Sequence, residues 1–380
     1  MRRSLPSLLC LGAALLGCST TPTRAPGADG SAAVEPTQSV APRGRPSALP
    51  SASPPGSGEA ALGDAGTSSP DGGRDAGADS RAQGSSATPA IDPATAAKIL
   101  FLDAAASEAA SCQAAGEAAA RIRCLIARRY QADTKAAELA LALYEHTGDV
   151  AGVEPEQLFD GGWRGTIKLV PELPVGPYRR HLGWVASACE DFEAFASALS
   201  SHAAQPLHYR TRALGLRFLR SVGRTTPSAY AENWVVSYNV SGSLHSSADA
   251  VRETLFHEIF HLNDALHGQW SARVLPALVD PIVARCTRAG GRLDSACLAP
   301  FAPGTTMVRG STYYAFHPGN GVWEYAAELA VRYYREQRLA LGMHEPPIRQ
   351  PFKCGPEPNG RAWQLLVDEF FGGMDLTPAC

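Results

Sequence analysis

Residues 19–92 contain no Phe, Trp or Tyr, and this gap limits where the chain can build a folded domain. The segment is dominated by Ala, Gly, Ser, Pro, Thr and Asp. Such a composition cannot bury enough apolar surface to offset the conformational entropy that is lost on folding. We therefore expect a disordered tether over residues 19–92 and a hydrophobic core built from the residues that follow.

Residues 1–18 have the pattern of a targeting segment. Arg2 and Arg3 precede an apolar run that is too short to span a bilayer, and the run ends at Leu16-Gly17-Cys18. This ending resembles the bacterial lipobox, whose cysteine is lipidated and becomes the new N-terminus. The resemblance implies a lipoprotein signal peptide, a lipid on Cys18 and attachment to a membrane of the bacterial cell envelope. The absence of Asp after Cys18 favours the outer membrane, and an ordinary secretory signal is the alternative.

Seven of the nine cysteines lie beyond this leader. An oxidising envelope compartment permits disulfides, although spacing alone does not determine their connectivity. Pairing sequence neighbours leaves Cys189 free, and buried thiols throughout are the alternative. The predicted pairs are Cys112–Cys124, Cys286–Cys297 and Cys354–Cys380.

The remainder of the chain has mixed secondary-structure signals, which predict an α+β fold. Residues 93–155 are rich in Ala, Leu, Glu and Arg at helical spacing, and we interpret them as a helical N-terminal layer. Strand patterns follow, and the segments after them are mostly helical. The predicted strands are 165–170, 214–219 and 234–240.

The stretch His257-Glu258-Ile259-Phe260-His261 points to metal chemistry. Histidines four residues apart lie on one face of a helix, where two neutral imidazoles can bind one Zn²⁺ ion. Glu258, beside them, can take a proton from water activated by the metal without being a ligand itself. This spacing is typical of zinc metallopeptidases. Ser246, with Asp249 three residues later, is the expected start of the helix.

A catalytic zinc site needs a third protein ligand. His267 is one candidate, but on a continuing helix it points away from the other two histidines unless the chain turns at Asp264. Glu324 is the other, and Glu328 one turn later could orient a histidine ligand. Both glutamates lie among apolar and aromatic neighbours, which favours burial over an amphipathic surface helix.

These residues together resemble the gluzincin metallopeptidases, in the group of anthrax lethal factor and the Pro-Pro endopeptidases. The resemblance extends over roughly 246–336, and the residues that carry it are His257, Glu258, His261, Asp264, Glu324, Tyr325, Ala327 and Glu328.

The resemblance implies a zincin-like domain over 156–380, with a small twisted sheet, an HExxH helix and a mostly helical C-terminal part. It implies that Glu324, not His267, is the third zinc ligand and that Asp264 supports the site from outside the ligand set. It also implies that the strand at 234–240 is the sheet edge that receives an extended peptide.

The resemblance also suggests a tyrosine that stabilises the developing oxyanion. Tyr314 is the preferred candidate, and Tyr313 and His317 are alternatives. The long segment between the two motif helices is expected to be an inserted loop that forms a lid or a substrate wall.

Three functions are consistent with the sequence. The first is a zinc endopeptidase that acts on a peptide or protein substrate, with Glu258 as general base. The second is an inactive zinc-binding lipoprotein that binds a partner, and the third is a zinc-free envelope scaffold. The net charge of −3 and the lack of a basic stripe give no reason to expect a nucleic-acid partner.

Overall fold

The computed structural model describes residues 90–160, 165–308, 312–317 and 321–380. The predicted signal segment, Cys18 and the predicted tether as far as residue 89 lie outside the described residues.

Among the described residues, four α-helices precede the first strand. Asp92 begins the first helix, because its carboxylate accepts hydrogen bonds from the backbone N–H groups of Ala94 and Thr95. Gly148 ends the fourth helix in the left-handed conformation. The helices are α1 (Pro93–Phe101), α2 (Ala105–Ser111), α3 (Ala118–Arg129) and α4 (Thr134–Thr147).

A six-stranded sheet follows, interrupted by helix α5 (Arg179–Ser200) between its third and fourth strands. The strands are β1 (Val150–Val153), β2 (Gln157–Asp160), β3 (Thr166–Pro171), β4 (Gly215–Ser221), β5 (Ala229–Glu232) and β6 (Val235–Asn239). Their order is β2-β3-β4-β6-β5, with β1 also paired to β4. The β1–β4 and β4–β6 pairs are parallel and the others are antiparallel.

The strand predicted at 234–240 is present as β6, but the expectation that it forms the sheet edge is wrong. β6 pairs with β4 on one side and with β5 on the other, so β5 is the edge strand. Asn233 and Trp234 both have positive φ and form the two-residue turn between β5 and β6. The short Ala-Tyr-Ala-Glu sequence of β5 lacks the β-branched residues that mark strands, which is why the hairpin escaped prediction.

Helix α1 packs directly against the sheet at Gly152 in β1. A Cβ atom on Gly152 would lie 2.0 Å from the carbonyl oxygen of Ile99, so only glycine permits this approach. Buried side chains of the N-terminal helices, of β1, β4, β5 and β6 and of the later helices belong to one hydrophobic cluster, whereas Ile167, Leu169 and Leu219 form a second, smaller cluster.

The chain after the sheet is mostly helical, as the sequence predicts. The helices are α6 (Ala248–Leu266), α7 (Trp270–Val274), α8 (Pro276–Arg285), α9 (Ser295–Leu298), α10 (Val322–Ala340) and α11 (Glu357–Phe370). Two short strands, β7 (Met307–Val308) and β8 (Thr312–Tyr313), pair with each other.

The segment between α6 and α10 was expected to be an inserted loop, and the structure corrects this expectation. It contains the three helices α7, α8 and α9. Pro276 lies in the first turn of α8, where a missing N–H costs nothing. The described residues thus form a mixed α+β fold.

The predicted disulfide connectivity is confirmed. The structure contains the bonds Cys112–Cys124, Cys286–Cys297 and Cys354–Cys380, and Cys189 is free and buried. Among the described residues, no helix combines the length and the apolar character needed to cross a membrane.

Candidate metal centre

Helix α6 carries the HExxH motif within the core. Its N-cap is Ser247, whose hydroxyl accepts a hydrogen bond from the backbone N–H of Ala250. The expected cap at Ser246 is therefore wrong by one position. Apolar side chains hold the helix in place against the sheet and against α5 and α10, and the buried ones are Val251, Leu255, Phe256, Ile259, Phe260 and Leu262.

Helix α10 supplies the acidic partner of the two histidines. Glu324 lies in its first turn, and its residue is 1% exposed. Burial of an unpaired carboxylate costs several kcal/mol, so Glu324 needs a positively charged partner. His257 and His261 on α6 face it across the helix pair.

The ligand atoms of these three residues lie close enough together to hold one metal ion. His257 Nε2 lies 3.0 Å from Glu324 Oε2 and 3.1 Å from His261 Nε2. His261 Nε2 lies 3.7 Å from Glu324 Oε2. A tetrahedral zinc ion with bonds of 2.0–2.1 Å would separate its ligand atoms by about 3.3–3.4 Å. The three measured distances scatter around that value.

Polar atoms in the cluster lack the partners that a metal-free site would need. Glu324 Oε1 is buried and accepts no hydrogen bond from the described residues. The two histidine Nε2 atoms face each other, so at least one must carry a proton for them to attract. A divalent cation removes both problems, and the two imidazoles with one carboxylate are a ligand set that suits Zn²⁺.

Electrostatics also favour a cation between the three residues. Burial lowers the pKa of His257, but Glu324 and Glu328 outweigh burial and hold that pKa well above its usual range. Burial raises the pKa of Glu324, but hydrogen bonds with His257 and His261 bring its net pKa below the usual range. Glu324 is therefore ionised and attracts positive charge, whether a proton on histidine or a metal ion.

His267, the alternative candidate for the third ligand, is not in the cluster. Helix α6 continues past Asp264 to Leu266 without the turn that would have brought His267 back. The imidazole of His267 instead lies 2.7 Å from Glu369 Oε1 and 3.1 Å from the carbonyl oxygen of His208. The structure therefore brings Glu324, not His267, to the two histidines.

Asp264 does not support the histidines as expected. One carboxylate oxygen accepts a 2.7 Å hydrogen bond from the backbone N–H of Ser271, and the other accepts a 2.6 Å bond from the Ser271 hydroxyl. Among the described residues, Asp264 makes no hydrogen bond with His257 or His261. Its carboxylate instead fixes the chain reversal between α6 and α7.

Glu328 does lie beside a candidate ligand. Its Oε1 is 3.5 Å from Nδ1 of His257, the ring nitrogen that faces away from the cluster. An acceptor at this position orients the ring and makes Nε2 a better ligand. Gly304 makes room for this carboxylate, because a Cβ there would lie 1.8 Å from Glu328 Oε2.

Glu258 faces a cavity of about 160 Å³ next to the ligand cluster. It is 3% exposed, and it is not one of the three clustered ligand residues. Tyr314 also lines this cavity, and its ring centroid lies 6.0 Å from that of His257. A carboxylate and a phenol thus line the same space. Tyr313 and His317 do not line this cavity, which leaves Tyr314 as the best-placed candidate.

No local sequence pattern indicated that residues 303–306 line the cavity opposite α6. These residues are Pro-Gly-Thr-Thr, and the Pro-Gly pair indicates only a turn. Their position depends on the packing of the α7–α9 segment, which no local pattern reveals.

No protein-family model, curated protein or solved structure matched this chain in comparisons with each. The gluzincin resemblance therefore rests on the motif residues alone.

Proposed function

We propose that the protein is a zinc-dependent metalloendopeptidase. The observation that carries the proposal is the spacing of 3.0, 3.1 and 3.7 Å among the ligand atoms of His257, His261 and Glu324, with Glu258 outside the set and facing the adjacent cavity. A structural zinc site would not require a second, non-ligating carboxylate that lines an adjacent cavity.

The residues of this chain would share the reaction as follows. His257, His261 and Glu324 hold a zinc ion, which when bound acidifies water and polarises the scissile carbonyl. Glu258 accepts a proton from the attacking water and passes it to the leaving amine nitrogen. Tyr314 donates a hydrogen bond to the carbonyl oxygen as negative charge develops there.

We propose that the fold is zincin-like, with β5 in the substrate-binding position first expected for β6. β5 is an antiparallel edge strand of the sheet, at the end against which α6 packs. An edge strand offers unpaired backbone groups that can bind an extended peptide by strand addition. The expected lipid anchor on Cys18 would present this site at an envelope membrane.

The test compares full-length wild-type protein with Glu258→Gln, and uses Glu138→Gln on the exposed face of α4 as the matched control. Zinc content is measured by elemental analysis, and hydrolysis is measured with a mixed peptide library. We expect one zinc per chain in all three proteins and cleavage by the wild type and the control. Glu258→Gln should lose roughly 10²–10⁴-fold in kcat.

Zinc bound without cleavage by any of the proteins would favour the inactive binding module. The absence of stoichiometric zinc from the wild type would contradict the whole proposal and favour the zinc-free scaffold.

A further inference from the structure

The cavity beside Glu258 continues away from the ligand cluster along α6. Glu253 lies four residues before His257, which places both on one face of the helix about 6 Å apart along its axis. Both line the cavity. A substrate side chain that enters near the scissile bond would therefore extend toward Glu253.

The cavity is lined by both apolar and charged side chains. Its volume of about 160 Å³ is close to that of an engineered cavity of about 150 Å³ that binds benzene, so a long side chain can fit. The apolar wall suits the methylene stem of a basic side chain, whose charged end needs a polar partner. The apolar lining residues are Leu244, Ala250, Pro303 and Val331.

Among the glutamates and arginines that line the cavity, the carboxylates are in excess. Glu253, Glu258 and Glu328 face two arginines, Arg332 and Arg335. Both arginines already have acidic partners, so they do not make the cavity positive.

Arg332 is ion-paired with Glu336, which does not line the cavity, and donates to the carbonyl oxygen of Gln350. Arg335 is shared between Glu253 at 3.3 Å and Glu345 at 3.5 Å. Within the part of the chain that the structure describes, Glu253 is thus ion-paired with a guanidinium that it shares with Glu345.

Glu253 is short of positive charge for a partly buried carboxylate. Burial raises its pKa, and the nearby Glu345 and Glu328 add to that effect. The opposing influence of Arg335 and Arg252 does not compensate, so the net pKa is above the usual range. A cationic group from a ligand would supply the missing charge.

We propose that this cavity is a specificity pocket for a lysine or arginine side chain of the substrate, with Glu253 as the residue that selects the positive charge. The inference rests on the proposed peptidase function, because it assigns the substrate class of that same site. The aliphatic stem packs on the apolar wall and the charged end binds Glu253.

The test uses full-length protein and a peptide series in which one position near the cleaved bond is Lys, Arg, Leu or Glu. We expect the wild type to cleave the Lys and Arg peptides with kcat/KM about tenfold or more above the Leu peptide, the effect of one hydrogen bond to a charged group. The ratio of the Lys and Arg values shows which of the two side chains fits better.

Glu253→Gln should remove this preference, with most of the loss in kcat/KM for the basic peptides and little change for the Leu peptide. Glu253→Lys should shift the preference toward the Glu peptide. Arg335 would lose its ion pair with residue 253, and both cationic side chains could then face the carboxylate of the peptide. Glu138→Gln should behave as the wild type. Unchanged zinc content and thermal unfolding would show that each variant is folded.

Equal cleavage of the four peptides by the wild type, or an unaltered preference in Glu253→Gln, would overturn the pocket assignment while leaving the peptidase proposal intact. If the wild type cleaves nothing, the peptidase proposal fails and binding decides the pocket. Fluorescently labelled Lys and Glu peptides are then titrated into zinc-loaded Glu258→Gln protein, with and without Glu253→Gln. Tighter binding of the Lys peptide that depends on Glu253 supports the pocket, and equal binding of the two peptides refutes it.

Discussion

Substitution of Glu328 by Gln tests whether the proposed metal centre is supported from outside the ligand set. Gln keeps the size of the side chain but removes the negative charge that faces Nδ1 of His257 at 3.5 Å. The imidazole would then be held less firmly, and its Nε2 would be a weaker ligand. We therefore expect zinc to bind more weakly while the fold is retained.

The expected size of the effect follows from this geometry. Loss of a group that supports a metal ligand reduces metal affinity by roughly 10- to 100-fold. A separation of 3.5 Å is at the long end for a hydrogen bond, so the loss for Glu328→Gln should lie near the lower limit of this range. We expect about a tenfold loss of zinc affinity, equivalent to about 1.4 kcal/mol.

Competition with a chromophoric zinc chelator at neutral pH measures this change, with Glu138→Gln as the control for removal of an exposed carboxylate. Circular dichroism and the thermal midpoint of the zinc-free proteins show whether the fold is intact. An affinity for Glu328→Gln within twofold of the wild type would refute the argument that this carboxylate orients His257. A loss of fold in the zinc-free variant would instead assign Glu328 a structural role.

Gly304→Ala should reproduce the effect of Glu328→Gln, because the added Cβ would displace the flexible end of the Glu328 side chain. Chelator competition should show weaker zinc binding, with a thermal midpoint close to that of the wild type. An unchanged zinc affinity would contradict the packing argument. His245 makes the protein less stable in acid. Burial lowers its pKa to about 3, whereas the unfolded chain has a pKa of about 6.5, so the unfolded state binds the proton first as the pH falls. The contribution of neutral His245 to the free energy of unfolding is fully present above pH 6.5. As the pH falls from 6.5 toward the folded pKa, the free energy of unfolding decreases by about 1.4 kcal/mol per pH unit. Urea unfolding at pH 7.5 and 5.5 should therefore show a shallower pH dependence for His245→Phe, and equal slopes for variant and wild type would be evidence against this assignment.

Several parts of the site were predictable from the sequence because they depend on local geometry. A spacing of four residues places His257 and His261 on one helix face wherever that helix lies. The same reasoning separates Glu258 from the ligand pair and predicts that His267 points away on an uninterrupted helix. Neighbour pairing of the cysteines was also correct, since each bond closes a short loop.

Only the tertiary structure decided which distant groups meet these residues. Glu324 is 67 positions from His257 in sequence and reaches it because α10 packs against α6 in the core. Asp264 was expected at the histidines, but the reversal into α7 brings the Ser271 donors within reach of its carboxylate first.

The sheet edge and the cavity wall also depended on long-range packing. β5 has little intrinsic strand preference and forms because β6 is available to pair with it. Gly304 lies beside Glu328 only after the chain between α6 and α10 has folded. Helical periodicity and capping act within a few residues, so the local sequence by itself determines the helices. Hydrophobic burial and ion pairing act between elements, so the partners of each side chain are determined only when the whole core assembles.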